Sequence, residues 1–248
     1  MKTYLITMLL FIAVFINSCD KKPEHYTSSL TVLVDITNRR EVLPAAEILL
    51  TFYDFAKGRN KEVFFRITTT TDKLLNPVAE HYLASGNETE KDNQFDDPDY
   101  REKLVLSFYS DVRQSVGAFN TNAQQDTILK HSECFRSIAG ELARMKENKA
   151  DKNLLVIYGD LSENSDLFSV YGKRVTGYVF KHPDSALQKF ETTGLLPQDL
   201  SGFTVMIIFQ PIDRDQDKLF NVMAGLYKKM LTARGAKVII RSDNPKYL

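Results

Sequence analysis

Two aspartates stand at the ends of apolar runs. In Leu30 to Arg40, LTVLVDITNRR, five residues dominated by Leu and Val run into Asp35, with the Thr37 hydroxyl two positions on. In NLLVIYGD the pattern repeats, and Asp160 closes the run. A buried strand gains nothing by ending on a carboxylate, so these groups are there to hold something. Carboxylates and hydroxyls brought together make an oxygen-donor set for a hard cation, Mg²⁺ or else Ca²⁺ or Mn²⁺. Softer or redox chemistry has less to work with. His25, His81, His131 and His182 are scattered without ligand spacing. The chain contains no CxxC, GxGxxG, Walker-type loop or Gly-x-Ser-x-Gly elbow.

The elements that must carry these residues alternate. The apolar run Ser29–Val34 reads as a buried strand, and Pro44 opens a helix with Ala46, Leu49, Leu50 and Tyr53 on one face, ending at Gly58. Val63–Ile67 is a second strand finishing in the polar Thr68–Asp72. Val78–Leu83 reads as a short edge strand, followed by a charged, irregular stretch from Ser85 to Asp99. Leu104, Phe108 and Val112 mark the next helix, and Phe135, Ile138, Ala139 and Leu142 another, with Cys134 at its head as a buried structural thiol. After the Asp160 strand comes a long polar connection with a minor helix around Ala186–Phe190. A strand at Phe203–Phe209, a helix bearing Leu219, Val222, Met223, Leu226 and Met230, and a strand at Lys237–Ile240 complete the series. Such alternation predicts a three-layer α/β fold. Its doubly wound, Rossmann-like sheet is mostly parallel, with one short antiparallel edge strand. Ligands of such sheets bind at the carboxyl edge, where Asp35 and Asp160 fall.

This order of elements, with its Asp-x-Thr loop, resembles the von Willebrand factor A (vWA) domain family over about Ser29 to Ile240. The family's metal-ion-dependent adhesion site uses an Asp-x-Ser-x-Ser loop, a later Thr, and an Asp after the fourth strand. The resemblance implies Asp35, Thr37, Ser132 (in KHSECFRSI) and Asp160 as ligands of Mg²⁺, or of Ca²⁺ or Mn²⁺. Arg39 departs from the pattern, standing where the second serine would offer a hydroxyl. A guanidinium only donates, so it cannot ligate a metal. Either it swings outward and leaves a sparse site, or it lies across the aspartates and replaces the cation. In a further reading the aspartates merely cap the edge, and Ser132 is the N-cap of its helix.

The first residues read as an address. A basic start at Lys2 and a short apolar core lead to Ile16-Asn17-Ser18-Cys19, which resembles the lipobox of bacterial lipoproteins. The core falls short of the ~20 residues of a spanning helix. The expected divisions are a signal peptide at residues 1–18, a lipidated N-terminus and tether at 19–28, and one domain at 29–248. Cys19 would carry the fatty acyl chains, palmitate among them. With 32 basic and 32 acidic residues, the chain has no general nucleic-acid footprint. The expected function is a lipid-anchored cell-envelope protein, on the periplasmic face or cell surface, whose vWA-like domain binds a protein partner. The alternatives are a metal-assisted phosphohydrolase and a structural envelope protein with a dead metal site. Thr37 argues against the phosphohydrolase, because it replaces the second aspartate that such chemistry uses as its acid/base.

Overall fold

Strand β1 (Tyr26–Asp35) shows how this sequence makes its layers. Successive side chains alternate faces, so Leu30, Val32 and Val34 enter one core and Leu33 the other. β4 (Lys152–Tyr158) and β5 (Phe203–Ile208) divide in the same way, with Leu155, Ile157, Val205 and Ile207 joining Leu33. Strands apolar on both faces must be covered on both. A computed structural model describes residues 26–37, 42–55, 61–70, 76–93, 97, 99–123, 132–171 and 173–248. Cys19, Arg39 and Asp72 lie outside them.

The sheet has six strands, completed by β2 (Lys61–Thr70), β3 (Val78–Leu83) and β6 (Lys237–Arg241), in the order β3-β2-β1-β4-β5-β6. β3 pairs antiparallel with β2, and the remaining pairs are parallel. On one face lie α1 (Ala46–Leu50) and α3 (Tyr100–Ala123), which contribute Leu49, Phe108 and Val112. On the other face, α4 (Cys134–Glu147), α6 (Pro183–Thr192) and α7 (Arg214–Thr232) contribute Phe135, Phe190 and Met223. Each fully buried Leu or Phe stabilises the fold by roughly 1.5–3 kcal/mol relative to exposure. The fold is therefore the three-layer α/β arrangement expected, with β1 central and β2 and β4 beside it.

Boundaries differ in instructive places. β1 begins at Tyr26, inside the expected tether. Thr27 and Ser28 are buried there, and the Thr27 N–H donates to Asp151 Oδ2 at 2.8 Å. α1 is five residues long and does not continue through Tyr53. The chain turns after Leu50, where Thr51 Oγ1 donates to the Ile48 carbonyl and Asp54 takes a positive φ of 40°. Two short helices occur where none was expected: α2 (Gly86–Lys91) in the charged stretch and α5 (Lys173–Lys181) in the polar connection after β4. No helix among the described residues is long and apolar enough to cross a membrane.

Candidate functional site

The carboxyl edge of the sheet is built from the last residues of β1 and β4. Asp35 is buried, and its Oδ1 accepts from the Thr37 N–H at 2.9 Å and the Thr37 hydroxyl at 2.6 Å. This is the local turn that Asp forms with the residue two positions on, and it explains why the strand stops here. Val34 pairs with Tyr158, so Asp35 lies beside Gly159. A Cβ on Gly159 would stand 2.8 Å from the Asp35 Cβ. Glycine is thus what allows the two strand ends to close side by side.

Past Gly159 the chain turns sharply. Asp160, half-buried, accepts the Ser162 N–H on Oδ1 at 2.8 Å. Leu161, buried, sits at φ 60°, a conformation costly for a branched side chain. This loop is stitched to the segment before α4. Ser132 N donates to Asn164 O at 3.2 Å, and Asn164 N returns a bond to Ser132 O at 2.9 Å. Ser132 is therefore a bridge residue. Glu133 occupies the N-cap position of α4 and makes no side-chain capping bond, so Ser132 is not the cap expected for it. Glu163 serves instead, from across the loop, as its Oε2 accepts the Phe135 N–H at 2.8 Å.

The Cys134 thiol links these parts. Its Sγ lies 3.2 Å from Ser132 Oγ, 3.6 Å from the Ser162 carbonyl and 4.0 Å from Asp35 Oδ2. Burial pushes the thiol well above its ordinary pKa, and the charges of Asp35, Glu163 and Asp160 push it further. A thiol so held stays protonated and cannot act as a nucleophile. Asp35, Glu163 and Asp160 thus bring three carboxyl groups to the head of α4. Glu163 is fully buried, and its carboxyl is raised to about 7, chiefly by desolvation. Among the described residues its Oε1 finds no hydrogen-bond partner, and neither does the buried hydroxyl of Tyr227.

The structure thus places Asp35 and Ser132 against one thiol, with Thr37 on the other carboxylate oxygen of Asp35 and Asp160 beginning the adjoining loop. The hydroxyl run at the end of β2 borders the same edge, with Thr70 in register with Asp35. Sequence reading missed Glu163 and the insertion of Cys134 between Ser132 and Asp35. The signal for Glu163 was its place three residues after Asp160, in the loop that had to cross the head of α4. Among the described residues, no group of three or more His, Cys, Asp or Glu side chains is arranged to hold a metal ion. The donors for a cation would have to include the Thr37 and Ser132 hydroxyls. A cleft of ≈ 310 Å³ opens beside the edge, lined in part by Leu33, Thr68, Glu133 and Arg136. No protein-family model, curated protein or solved structure matches this chain.

Proposed function

We propose that this chain is a cell-envelope lipoprotein, anchored through Cys19, whose vWA-like domain binds a protein partner at the carboxyl edge of its sheet. The observation that carries the reading is the meeting of Asp35 and the Asp160 loop at adjacent strand ends, in a sheet ordered β3-β2-β1-β4-β5-β6 with β3 antiparallel. That combination is what the vWA resemblance implies. Asp35, Thr37, Ser132 and Asp160 are the oxygen donors offered to Mg²⁺, and a partner's carboxylate would complete the coordination of such an ion. The adjoining cleft is large enough to take a partner side chain.

The metal-free reading has its own support. Cys134 fills space between Ser132 and Asp35, and its protonated sulfur is a poor partner for Mg²⁺. One titration separates the two. Wild type, Asp35→Ala and Arg39→Ser are melted across a Mg²⁺ and Mn²⁺ series. A cation bound to the folded form raises Tm with concentration, and Asp35→Ala abolishes the rise. A rise in Arg39→Ser alone marks the arginine as the occupant of the metal position. A flat response in all three removes the cation, and partner capture by the soluble domain, with and without chelator, then tests the edge by itself.

A further inference from the structure

We infer that the domain stands with the amino edge of its sheet toward the anchoring bilayer and presents the Asp35 edge away from it. The partner is then a protein outside that bilayer, and not the bilayer's own lipid headgroups. The inference rests on the reading of Cys19 as the lipidated residue. From Cys19 to Tyr26 the chain has seven Cα steps, which even fully drawn out span at most about 25 Å. From Tyr26 to Asp35, β1 rises over nine steps, about 30 Å at ~3.3 Å per residue. The connection is shorter than the strand it feeds. To stand upright with the Asp35 edge on the bilayer, the domain would have to hold Tyr26 a full strand length above the anchor, farther than the connection reaches.

The parallel sheet extends this constraint from one strand to the whole edge. β2, β4, β5 and β6 run in the direction of β1, so their carboxyl ends, the Asp160 loop among them, share the far side. The near side carries Lys149, Lys152 and Lys237, exposed at the starts of β4 and β6, with Asp151 among them. Exposed lysines suit a surface of anionic headgroups.

The test uses the full lipidated chain on vesicles of phosphatidylcholine and phosphatidylglycerol that contain a lipid-borne acceptor dye. A donor dye is placed through Lys237→Cys at the near edge, or through Ile212→Cys, 67% exposed, in the far-edge loop between β5 and α7. Cys134 is buried and does not compete for label. Energy transfer to the lipid should be several-fold stronger from position 237. A long Gly/Ser insert after Lys22 should remove most of that difference. Equal transfer from both positions, or a difference that survives the insert, overturns the orientation while leaving the anchor and the partner edge standing. Protein that does not float with the vesicles overturns the anchor and the orientation together.

Discussion

Thr31 and Asp35 project from the same face of β1, four residues apart, and meet ionisable groups of two different kinds. At Thr31 the Arg144 guanidinium donates to the hydroxyl at 3.0 Å and to Glu141 Oε2 at 2.9 Å. Arg66 forks onto the same carboxylate at 2.9 and 3.0 Å and reaches Glu80 at 2.5 Å. Two guanidiniums thus answer two carboxylates, and the group fastens α4 to β2 and β3. At Asp35 the donors include a backbone N–H, a hydroxyl and a thiol. One strand face thus uses buried carboxylates in two ways: Glu141 ties α4 to β2 through guanidiniums, and Asp35 ends its strand by accepting from the residue two positions on.

The largest way to break the comparison is Glu141→Ala. It leaves Arg66 and Arg144, 17% and 29% exposed, beside an empty position. Losing one member of a mostly buried ionic group costs about 3–5 kcal/mol, read as a lower midpoint in urea denaturation. Any Mg²⁺ response should persist in the surviving folded protein, since the carboxyl edge is untouched.

A somewhat smaller effect belongs to Glu163. Burial holds its carboxyl up at about 7, above its ordinary 4.5. The folded chain therefore keeps a proton that the unfolded chain releases between those values. Stability from this source is fully present below the lower value and is lost as pH rises through the upper one, approaching about 3 kcal/mol. Denaturation midpoints measured across this window should fall with pH. In Glu163→Gln, which keeps an acceptor for the Phe135 N–H, that slope should flatten.

The smallest effect sharpens the contrast most. Gly159→Ala sets a methyl against the Asp35 side chain and should cost about 2 kcal/mol, because a well-packed edge must shift to admit it. Unlike Glu141→Ala, it should also weaken a Mg²⁺-dependent rise in Tm, since it displaces Asp35 itself.

The layers were legible because their signals are long and regular. The continuous apolar runs of β1, β4 and β5 announce strands buried on both faces, and β3 was read with its observed ends from Val78 to Leu83. The four-residue spacing of Leu104, Phe108 and Val112 likewise gives α3. The missed pieces are short or polar. α5 has Gly177 in its interior and lies in a polar connection, while α2 opens on Gly86 and is nearly all charged or polar. Tyr53 continues an apolar face, yet the chain has already turned, because its hydroxyl bonds to the Phe64 carbonyl at 2.8 Å across the fold. At the site, Asp35, Thr37 and Asp160 were visible from their places at strand ends. Glu163 was not, since a loop glutamate has no periodicity, and its importance comes from the helix that happens to start beside it.

The pairing of β1 with β4 carries a consequence for the order of assembly. β2 and β3 join Thr68 to Val78 across a short connection, and β5 and β6 join Thr204 to Lys237. β1 and β4 join Ser28 to Lys152, the widest separation along the chain of any pair in the sheet. Closing a long loop carries an entropic cost that must be met before its contacts can repay it. The edge holding Asp35 against Gly159 comes into being only with that long-range pairing. Any partner that took this edge, as proposed above, would meet only chains whose two halves have already paired, and would pass over incompletely folded copies without a separate inspection step.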